Sequence, residues 1–256
     1  MDDKNIIELT DINKSFGENH VLRNLSMKIP KGKISYIIGR SGEGKSVTLK
    51  HILGLMKPDS GLLSIEGKAM HNANTQDWKA VRVKIGALFQ YAALFDSESV
   101  FDNVAFPLKY LTSKSKTFIN DRVKDVLTLV DAYGIRDKMP GSISMNEKKR
   151  VGLARALALE PKILIYDEPT TSMDAFISDL IDDLIKTMQE KIEDLTTLVV
   201  SHDIYSILKI PDKITLIHEG RAYFSDTREK FIYSQDPIIR QFITGREKAA
   251  PSTSRK

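Results

Sequence analysis

Short runs of apolar residues alternate along the chain with longer stretches in which apolar positions recur every three or four residues. The short runs predict eight strands, at residues 6–12, 34–38, 62–65, 85–89, 163–166, 198–200, 214–217 and 222–224. Several of these runs are nearly continuous Ile, Val and Leu, which is typical of strands buried on both faces of a parallel sheet.

The longer stretches predict amphipathic helices between the strands. Residues 176–188 carry apolar side chains at four-residue spacing with acidic residues on another face, and residues 118–130 and 151–159 are similar. Strands that alternate with helices indicate an α/β fold. Residues 91–150 contain little strand pattern, so we expect a helical insert there.

Composition narrows the class of protein. The chain has 256 residues, of which 41% are hydrophobic and 28% charged, so it can bury a sizeable core and is neither disordered nor fibrous. The absence of cysteine excludes disulfides, thiol nucleophiles and cysteine-held metals. A charged N-terminus and the lack of any long apolar run predict a cytosolic chain without a secretory signal or membrane span. The net charge of +4 favours no class of partner, and we expect residues 246–256 to be mobile.

A glycine-rich segment follows the strand predicted at residues 34–38. It fits the pattern G-x-x-x-x-G-K-S/T between a strand and a helix, the context of a phosphate-binding loop. Its residues are Gly39, Arg40, Ser41, Gly42, Glu43, Gly44, Lys45 and Ser46. Glycines let backbone N–H groups converge on phosphate oxygens, while Lys45 would reach the β- and γ-phosphates and Ser46 would ligate Mg²⁺. The alternative is an ordinary glycine-rich turn before a helix.

Polar residues follow three other predicted strands, at the sheet edge where open α/β sheets bind ligands. Asp167 and Glu168 end one strand, Gln90 ends a second, and His202 follows a third. Asp167 suits a Mg²⁺ contact, and Glu168 suits a general base for water. The amide of Gln90 could orient water or contact Mg²⁺. Alone, Asp167 and Glu168 also fit a polar turn that ends the strand, and His202 also fits a helix cap or a surface histidine.

Taken in this order, the motifs resemble those of the ATP-binding subunit of ABC transporters over nearly the whole chain. Residues 39–46 resemble its Walker A motif, Gln90 its Q-loop, and Asp167 with Glu168 its Walker B motif and catalytic glutamate. His202 resembles its switch histidine. The resemblance implies ATP and Mg²⁺ as ligands, with His202 and Gln90 positioning the γ-phosphate and the cation.

The resemblance also implies a fold and two further contacts to the nucleotide. The fold is a P-loop NTPase core of the α/β class, with a parallel sheet, an antiparallel β subdomain and a helical insert, in one ABC ATPase domain over residues 1–245. Asp174 resembles part of the D-loop. Phe16 lies where the family stacks an aromatic ring on adenine, although core packing is the alternative for this side chain.

One motif departs from the family pattern. In place of Leu-Ser-Gly-Gly-Gln the chain has Ile143-Ser144-Met145-Asn146-Glu147. In the family this loop meets the γ-phosphate held by the opposite subunit, so the resemblance implies a homodimer with Ser144 at the shared site. Met145 and Asn146 replace glycines, and we hypothesise that they weaken closure or hydrolysis. Ser144 and Glu147 also fit a capping box that simply starts a helix.

Three basic residues follow this loop, Lys148, Lys149 and Arg150. They lie near the start of a predicted helix, where positive charge opposes the helix dipole. A bound anion nearby would explain them, and a solvated basic face is the alternative.

Two stretches, residues 90–108 and 236–245, resemble the Mla branch of the family, whose ATPases serve lipid-transport complexes with MCE-domain proteins. Amino-acid importer ATPases share much of the first stretch. The resemblance implies a membrane permease, MCE-type and small accessory subunits, no nucleic acid, and a peripheral position on the cytoplasmic face of the inner membrane. Phe95, Phe101 and Phe106 would either accept a permease helix or pack the insert. A nucleotide-gated scaffold with little ATPase activity and a soluble ABC protein are the other interpretations.

Overall fold

The computed structural model describes residues 4–171, 173 and 175–244. The strands are β1 (Asn5–Phe16), β2 (Asn19–Pro30), β3 (Ile34–Ile38), β4 (Ser60–Ile65), β5 (Lys68–Ala69), β6 (Ile85–Leu88), β7 (Ile163–Asp167), β8 (Thr196–Ser201), β9 (Lys213–His218) and β10 (Arg221–Thr227). The helices are α1 (Lys45–Ile52), α2 (Thr75–Arg82), α3 (Val100–Leu111), α4 (Lys116–Leu129), α5 (Met145–Leu157), α6 (Ala175–Lys191), α7 (Ile204–Lys209), α8 (Arg228–Ile232) and α9 (Pro237–Thr244).

The larger sheet has the strand order β10-β9-β3-β8-β7-β6. Strands β9 to β6 are parallel, and β10 pairs antiparallel with β9. Every residue of β3 and β8 is buried, as their continuous apolar runs predict. Because the parallel strands end at the same edge, the loops after β3, β6, β7 and β8 meet there.

The smaller sheet is antiparallel, with the order β2-β1-β4-β5. Strand β2 is absent from the sequence prediction, although its buried Leu25, Met27 and Ile29 alternate with exposed residues as in a half-buried strand. An apolar cluster that includes these residues and Ile37 of β3 joins the two sheets and α1. This packing holds β2 against the loop that follows β3.

A second apolar cluster covers the opposite face of the parallel sheet and contains residues of α3 to α6. The chain between β6 and β7 forms α3, α4 and α5, and no strand occurs there. The predicted helices are confirmed at α4, α5 and α6, while α2, α7 and α8 are too short for a period to be read from the sequence. None of the helices in the described ranges combines the length and hydropathy needed to cross a membrane.

Candidate nucleotide-binding site

The glycine-rich loop runs from the end of β3 into the first turn of α1, in close contact with two neighbouring elements. A Cβ added to Gly39 would lie 2.6 Å from the carbonyl oxygen of Ile217, and one on Gly44 would lie 2.5 Å from Cδ2 of Leu22. Gly44 also has a φ of +97°, which side chains disfavour. Glycine therefore permits both the conformation of the loop and its approach to β2 and β9.

Helix α1 begins without a side-chain cap. Its N-cap is Gly44, and the first turn contains no acidic residue. The first N–H groups of a helix have no partners within the helix, and together with the helix dipole they form a site for an anion. This geometry fits a phosphate group at the start of α1.

Lys45 is nearly buried at the mouth of the loop. Its Nζ donates to the carbonyl oxygens of Gly39 at 2.8 Å and Arg40 at 3.1 Å, and lies 3.9 Å from Oε1 of Glu168. Burial lowers the pKa of Lys45, while the negative charges of Glu168, Glu43 and Asp167 raise it. The ammonium group thus donates to uncharged carbonyl oxygens of its own loop, from which it can turn toward a phosphate.

Glu168 lies directly after β7 in a strained conformation. It has a φ of +49°, and its N–H donates to the carbonyl oxygen of Val200 at 2.9 Å. Left-handed conformations cost a non-glycine residue roughly 1–2 kcal/mol and are concentrated at functional sites. Oε2 of Glu168 lies 2.7 Å from Nδ1 of His202 and accepts a hydrogen bond from Oγ1 of Thr171 at 3.0 Å.

Asp167 ends β7 and is half-buried. Burial raises its pKa, the charge of Glu168 raises it further, and Lys45 and Lys50 oppose this shift. Within the described ranges, no three His, Asp or Glu side chains come together as a metal site made by protein alone. The oxygen atoms of Ser46, Gln90 and Asp167 fit Mg²⁺, which is commonly bound by few protein ligands together with substrate phosphates.

The segments that follow β3, β6, β7 and β8 enclose a cleft of about 520 Å³. It is lined by Val21, Ser41, Gly42, Gly44, Lys45, Ser46, Val47, Gln90, Glu168, Thr171 and His202. Eight of these eleven residues were predicted from sequence. Val21, Val47 and Thr171 were not, because no motif marks a strand that returns beside the loop or a hydroxyl three residues after Glu168. Gly39, Arg40, Glu43 and Asp167 do not line the cleft.

Comparison with known protein families identifies the family of this chain. Residues 22–171 match the sequence profile described as "ABC transporter". The chain belongs to the ABC transporter family.

Curated relatives of this ABC protein include two transport ATP-binding proteins. One is the intermembrane phospholipid transport system ATP-binding protein MlaF of Haemophilus influenzae, which is 36% identical over 242 residues, 94% of this chain and 91% of that protein. The other is the probable ribonucleotide transport ATP-binding protein mkl of Mycobacterium tuberculosis, 37% identical over 240 residues, 94% of this chain and 67% of that protein.

Two solved structures have the same fold. CbiO1 from Clostridium perfringens, part of the ABC transporter complex cbiONQ, superposes with a TM-score of 0.82 at 28% identity, over 93% of this chain and 94% of that one. The dimeric bacterial ABC transporter cassette MJ0796 gives 0.78 at 28% identity, over 87% and 98%. A post-hydrolysis form of that cassette holds ADP and Pi. The present protein is the ATP-binding subunit of an ABC transporter and an ABC-type ATPase, as its motifs indicate.

The altered signature loop of this ABC ATPase forms the start of α5. Ser144 is the N-cap, and its Oγ accepts from the N–H of Glu147 while the carboxylate of Glu147 accepts from the N–H of Ser144, so the predicted capping box is present. Met145 is 45% exposed at the first helical position. The buried Oδ1 of Asn146 has no hydrogen-bond partner. Ser144 does not line the cleft of its own subunit.

Both explanations offered for the basic run are wrong for Lys149. Lys149 is only 1% exposed, and its Nζ donates to the carbonyl oxygen of Pro169, directly after Glu168. Arg150 donates to the carbonyl oxygen of Val130 at 2.8 Å. Lys149 thus binds a carbonyl group inside the subunit, and Arg150 also lies 3.5 Å from the carboxylate of Asp131 in the same subunit.

Phe16 and Glu43 lie outside the cleft. Phe16 is 47% exposed at the end of β1, with Nζ of Lys14 located 5.7 Å from its ring centroid, so it is not a core residue. Asp174 and residues 246–256 lie outside the described residues. Glu43 turns its carboxylate to the β9–β10 hairpin, where it accepts from the N–H of Glu219.

An aromatic surface lies beside the Q-loop. The ring centroids of Phe95 and Phe106 are 4.7 Å apart, and those of Phe106 and Tyr110 are 4.6 Å apart. All three rings are exposed, whereas Phe101 packs against the core. Part of the predicted aromatic set therefore packs the insert, and part remains on the surface.

Proposed function

We propose that this ATPase works as a homodimer on an integral-membrane permease, at the cytoplasmic face of the inner membrane, and drives transport of a phospholipid or a related hydrophobic molecule. MCE-type and small accessory subunits would complete the complex. The cargo is supported by the similarity to MlaF, which covers 94% of this chain. The motor function is supported by the contact of Glu168 with His202 at the cleft that also contains Lys45.

Hydrolysis follows from the position of the Glu168 carboxylate. Its Oε2 is oriented by His202 and Thr171, while Oε1 faces the ammonium of Lys45. A carboxylate held in this way can accept the proton of an attacking water, as Lys45 binds the phosphate that carries the developing charge. Ser46, Gln90 and Asp167 would hold Mg²⁺, which when bound neutralises charge on the phosphate oxygens.

The aromatic surface of Phe95, Phe106 and Tyr110 is the proposed contact with the permease. It lies on and just before α3, in the chain segment that follows Gln90. Exposed apolar groups that are packed against one another favour docking of a protein partner over solvation. A helix of the permease that binds there would lie close to Gln90, which lines the nucleotide cleft.

A second candidate function, a nucleotide-gated scaffold with little turnover, is favoured by one observation. The exposed side chain of Met145 occupies the position at which glycine lets the signature loop approach the opposite subunit. A side chain at that position hinders close approach of the two backbones. ATP would then be bound without efficient closure of the dimer.

The substitution Glu168→Gln distinguishes the two functions. We expect release of phosphate from ATP to fall by about 100-fold or more, the usual contribution of a general base, with ATP binding retained. The control is Glu193→Gln, on an exposed turn between α6 and β8. If Glu168→Gln leaves phosphate release at the wild-type rate, the scaffold is the correct function.

Affinity purification from solubilised membranes tests the proposed complex. We expect a permease to co-purify, with phospholipid in the organic extract of the complex. Substitution of Phe106 by Ser should reduce recovery of the permease without changing the ATPase rate of the isolated subunit. Recovery of soluble partners alone would contradict the transport complex.

A further inference from the structure

A carboxylate in a loop that binds a polyanion requires an explanation. Glu43 lies two residues before Lys45, and its negative charge raises the pKa of that lysine. A carboxylate free to turn toward the triphosphate would repel it. The side chain instead lies on the β9–β10 hairpin, where Oε2 accepts from the N–H of Glu219 and Oε1 lies 3.3 Å from Nδ1 of His218.

The hairpin turn is shaped to receive this carboxylate. Strands β9 and β10 are joined by two residues, Glu219 and Gly220, with φ values of +49° and +72°. Two successive positive φ values are typical of the tight type I′ turn, which matches the twist of antiparallel strands. The N–H of Glu219 is therefore held in a fixed direction, toward Glu43.

The β9–β10 hairpin also packs between the phosphate loop and β2. A Cβ on Gly220 would lie 2.4 Å from the carbonyl oxygen of Val21, and the carbonyl of Gly220 accepts from the N–H of Arg23 at 2.9 Å. On the loop side, a Cβ on Gly39 would lie 2.6 Å from the carbonyl oxygen of Ile217. The hairpin is therefore packed closely against both β2 and the phosphate loop.

We propose that Glu43 is a positioning residue for ATP binding, because its carboxylate fixes the phosphate loop to the β9–β10 hairpin. The role rests on the ATPase function given above. The hairpin is supported in turn by α9, since Tyr223 of β10 donates to Asp236 at 2.8 Å and the ring of His218 meets that of Tyr223 edge-on at 5.8 Å. Asp236 accepts from the first N–H groups of α9.

The experiment compares Glu43→Gln with Glu43→Ala. Both substitutions remove the charge, but only Gln retains an oxygen that can accept from the N–H of Glu219. We expect the Ala variant to bind a fluorescent ATP analogue about tenfold more weakly than the Gln variant, because an anchoring hydrogen bond is lost. The difference should appear in KM, with kcat at saturating ATP alike within about twofold, and thermal unfolding measures any loss of folding.

Equal affinities of the two variants, within about twofold, would overturn the proposal, as would a difference confined to kcat. If Glu43→Ala does not fold, His218→Phe replaces it: this variant keeps the aromatic contact with Tyr223 and should also weaken ATP binding. Absence of saturable ATP binding by the wild-type chain would instead refute the proposed function.

The substitution Tyr223→Phe tests whether the support from α9 acts on ATP binding through the hairpin and Glu43. It should raise the dissociation constant of the ATP analogue in the Glu43→Gln chain, by about threefold, and leave it unchanged in the Glu43→Ala chain, where the anchor is already absent. Equal effects in both chains would show that Tyr223 does not act through Glu43.

Discussion

The helix that starts at the nucleotide cleft and the helix that starts at the altered signature loop begin in opposite ways. Helix α1 begins at a glycine, without a side-chain cap and without an acidic residue in its first turn. Helix α5 begins with a complete capping box, in which Ser144 and Glu147 satisfy each other's backbone N–H groups. The first start therefore leaves its N–H groups without a side-chain partner, whereas the capping box of the second satisfies two backbone N–H groups within the chain.

We expect separate tasks for the two segments. The uncapped donors at α1 have the most to gain from a phosphate, so we expect the loop before α1 to supply the affinity for ATP. The start of α5 offers fewer unsatisfied groups, and it also presents the side chain of Met145 where the family has glycine. Lys149 joins the two regions, because it extends from α5 to the carbonyl group of Pro169 in the turn that follows Glu168.

The largest predicted effect concerns Lys149, the link between the two regions. Burial lowers its pKa from 10.5 to about 8. Below pH 8 the lysine is charged in both states and destabilises the fold; between pH 8 and 10.5 the folded state binds fewer protons, so the free energy of unfolding rises with pH. Denaturant unfolding should show wild type gaining about 3 kcal/mol over Lys149→Met across this window.

The matched control for this measurement is Lys124→Met, since Lys124 is exposed on α4. The free energy of unfolding of Lys124→Met should change with pH in the same way as that of wild type. If the curves for Lys149→Met and wild type run parallel from pH 7 to 10.5, Lys149 is not buried as a charged group and the link between the regions fails.

The ligand-dependent start is tested by Gly44→Ala. The new Cβ would lie 2.5 Å from Cδ2 of Leu22, and the alanine would have to adopt a φ of +97°. This conformation costs an alanine about 2 kcal/mol. We expect about thirtyfold weaker ATP binding, measured by titration with a fluorescent analogue. Gly134→Ala is the control, because a Cβ there has no neighbour within 4 Å. Unchanged affinity in Gly44→Ala would mean that the loop reshapes freely.

The parts of the site that follow from local pattern could be predicted from the sequence, and the parts made by contacts between distant segments could not. Strand β3 was predicted with its observed ends, and its loop and the polar ends of three other strands were found because each lies next to an apolar run. The bond from Lys149 to Pro169 spans 20 residues, and the contact of Glu43 with Glu219 spans 176. No periodicity or spacing signals such contacts.

The same reasoning explains the wrong interpretation of the basic run. Judged from the neighbouring residues alone, positive charge near a helix start favoured either a bound anion or a face exposed to solvent. Burial of Lys149 is decided by the turn after β7, which the local sequence does not contain. Strand β2 was missed for a different reason, since its buried positions alternate with exposed polar residues and form no continuous apolar run.

The next prediction removes the side chains that distinguish the signature loop. The double substitution Met145→Gly and Asn146→Gly should raise ATP turnover by about tenfold, because closer approach of the opposite subunit lowers the barrier by roughly 1.4 kcal/mol. Its stability should fall by about 1 kcal/mol for each glycine placed in α5. The same double change in a Glu168→Gln chain serves as control and should show no rise. Equal turnover by the double variant and wild type would refute the hypothesis that the altered loop slows the enzyme.

The smallest effect separates the two roles of Ser144, helix cap and contact to the partner's nucleotide. Ser115 caps α4 in the same way, because its Oγ accepts from the N–H of Phe118, and it is the matched control. Ser144→Ala and Ser115→Ala should each lower the free energy of unfolding by about 1 kcal/mol in denaturant titrations. Only Ser144→Ala should also lower ATP turnover, by about threefold to fivefold, since its hydroxyl keeps a free lone pair and a proton for the phosphate of the opposite subunit. If both variants turn over ATP at the wild-type rate, the start of α5 is complete in itself and the capping box is its whole function.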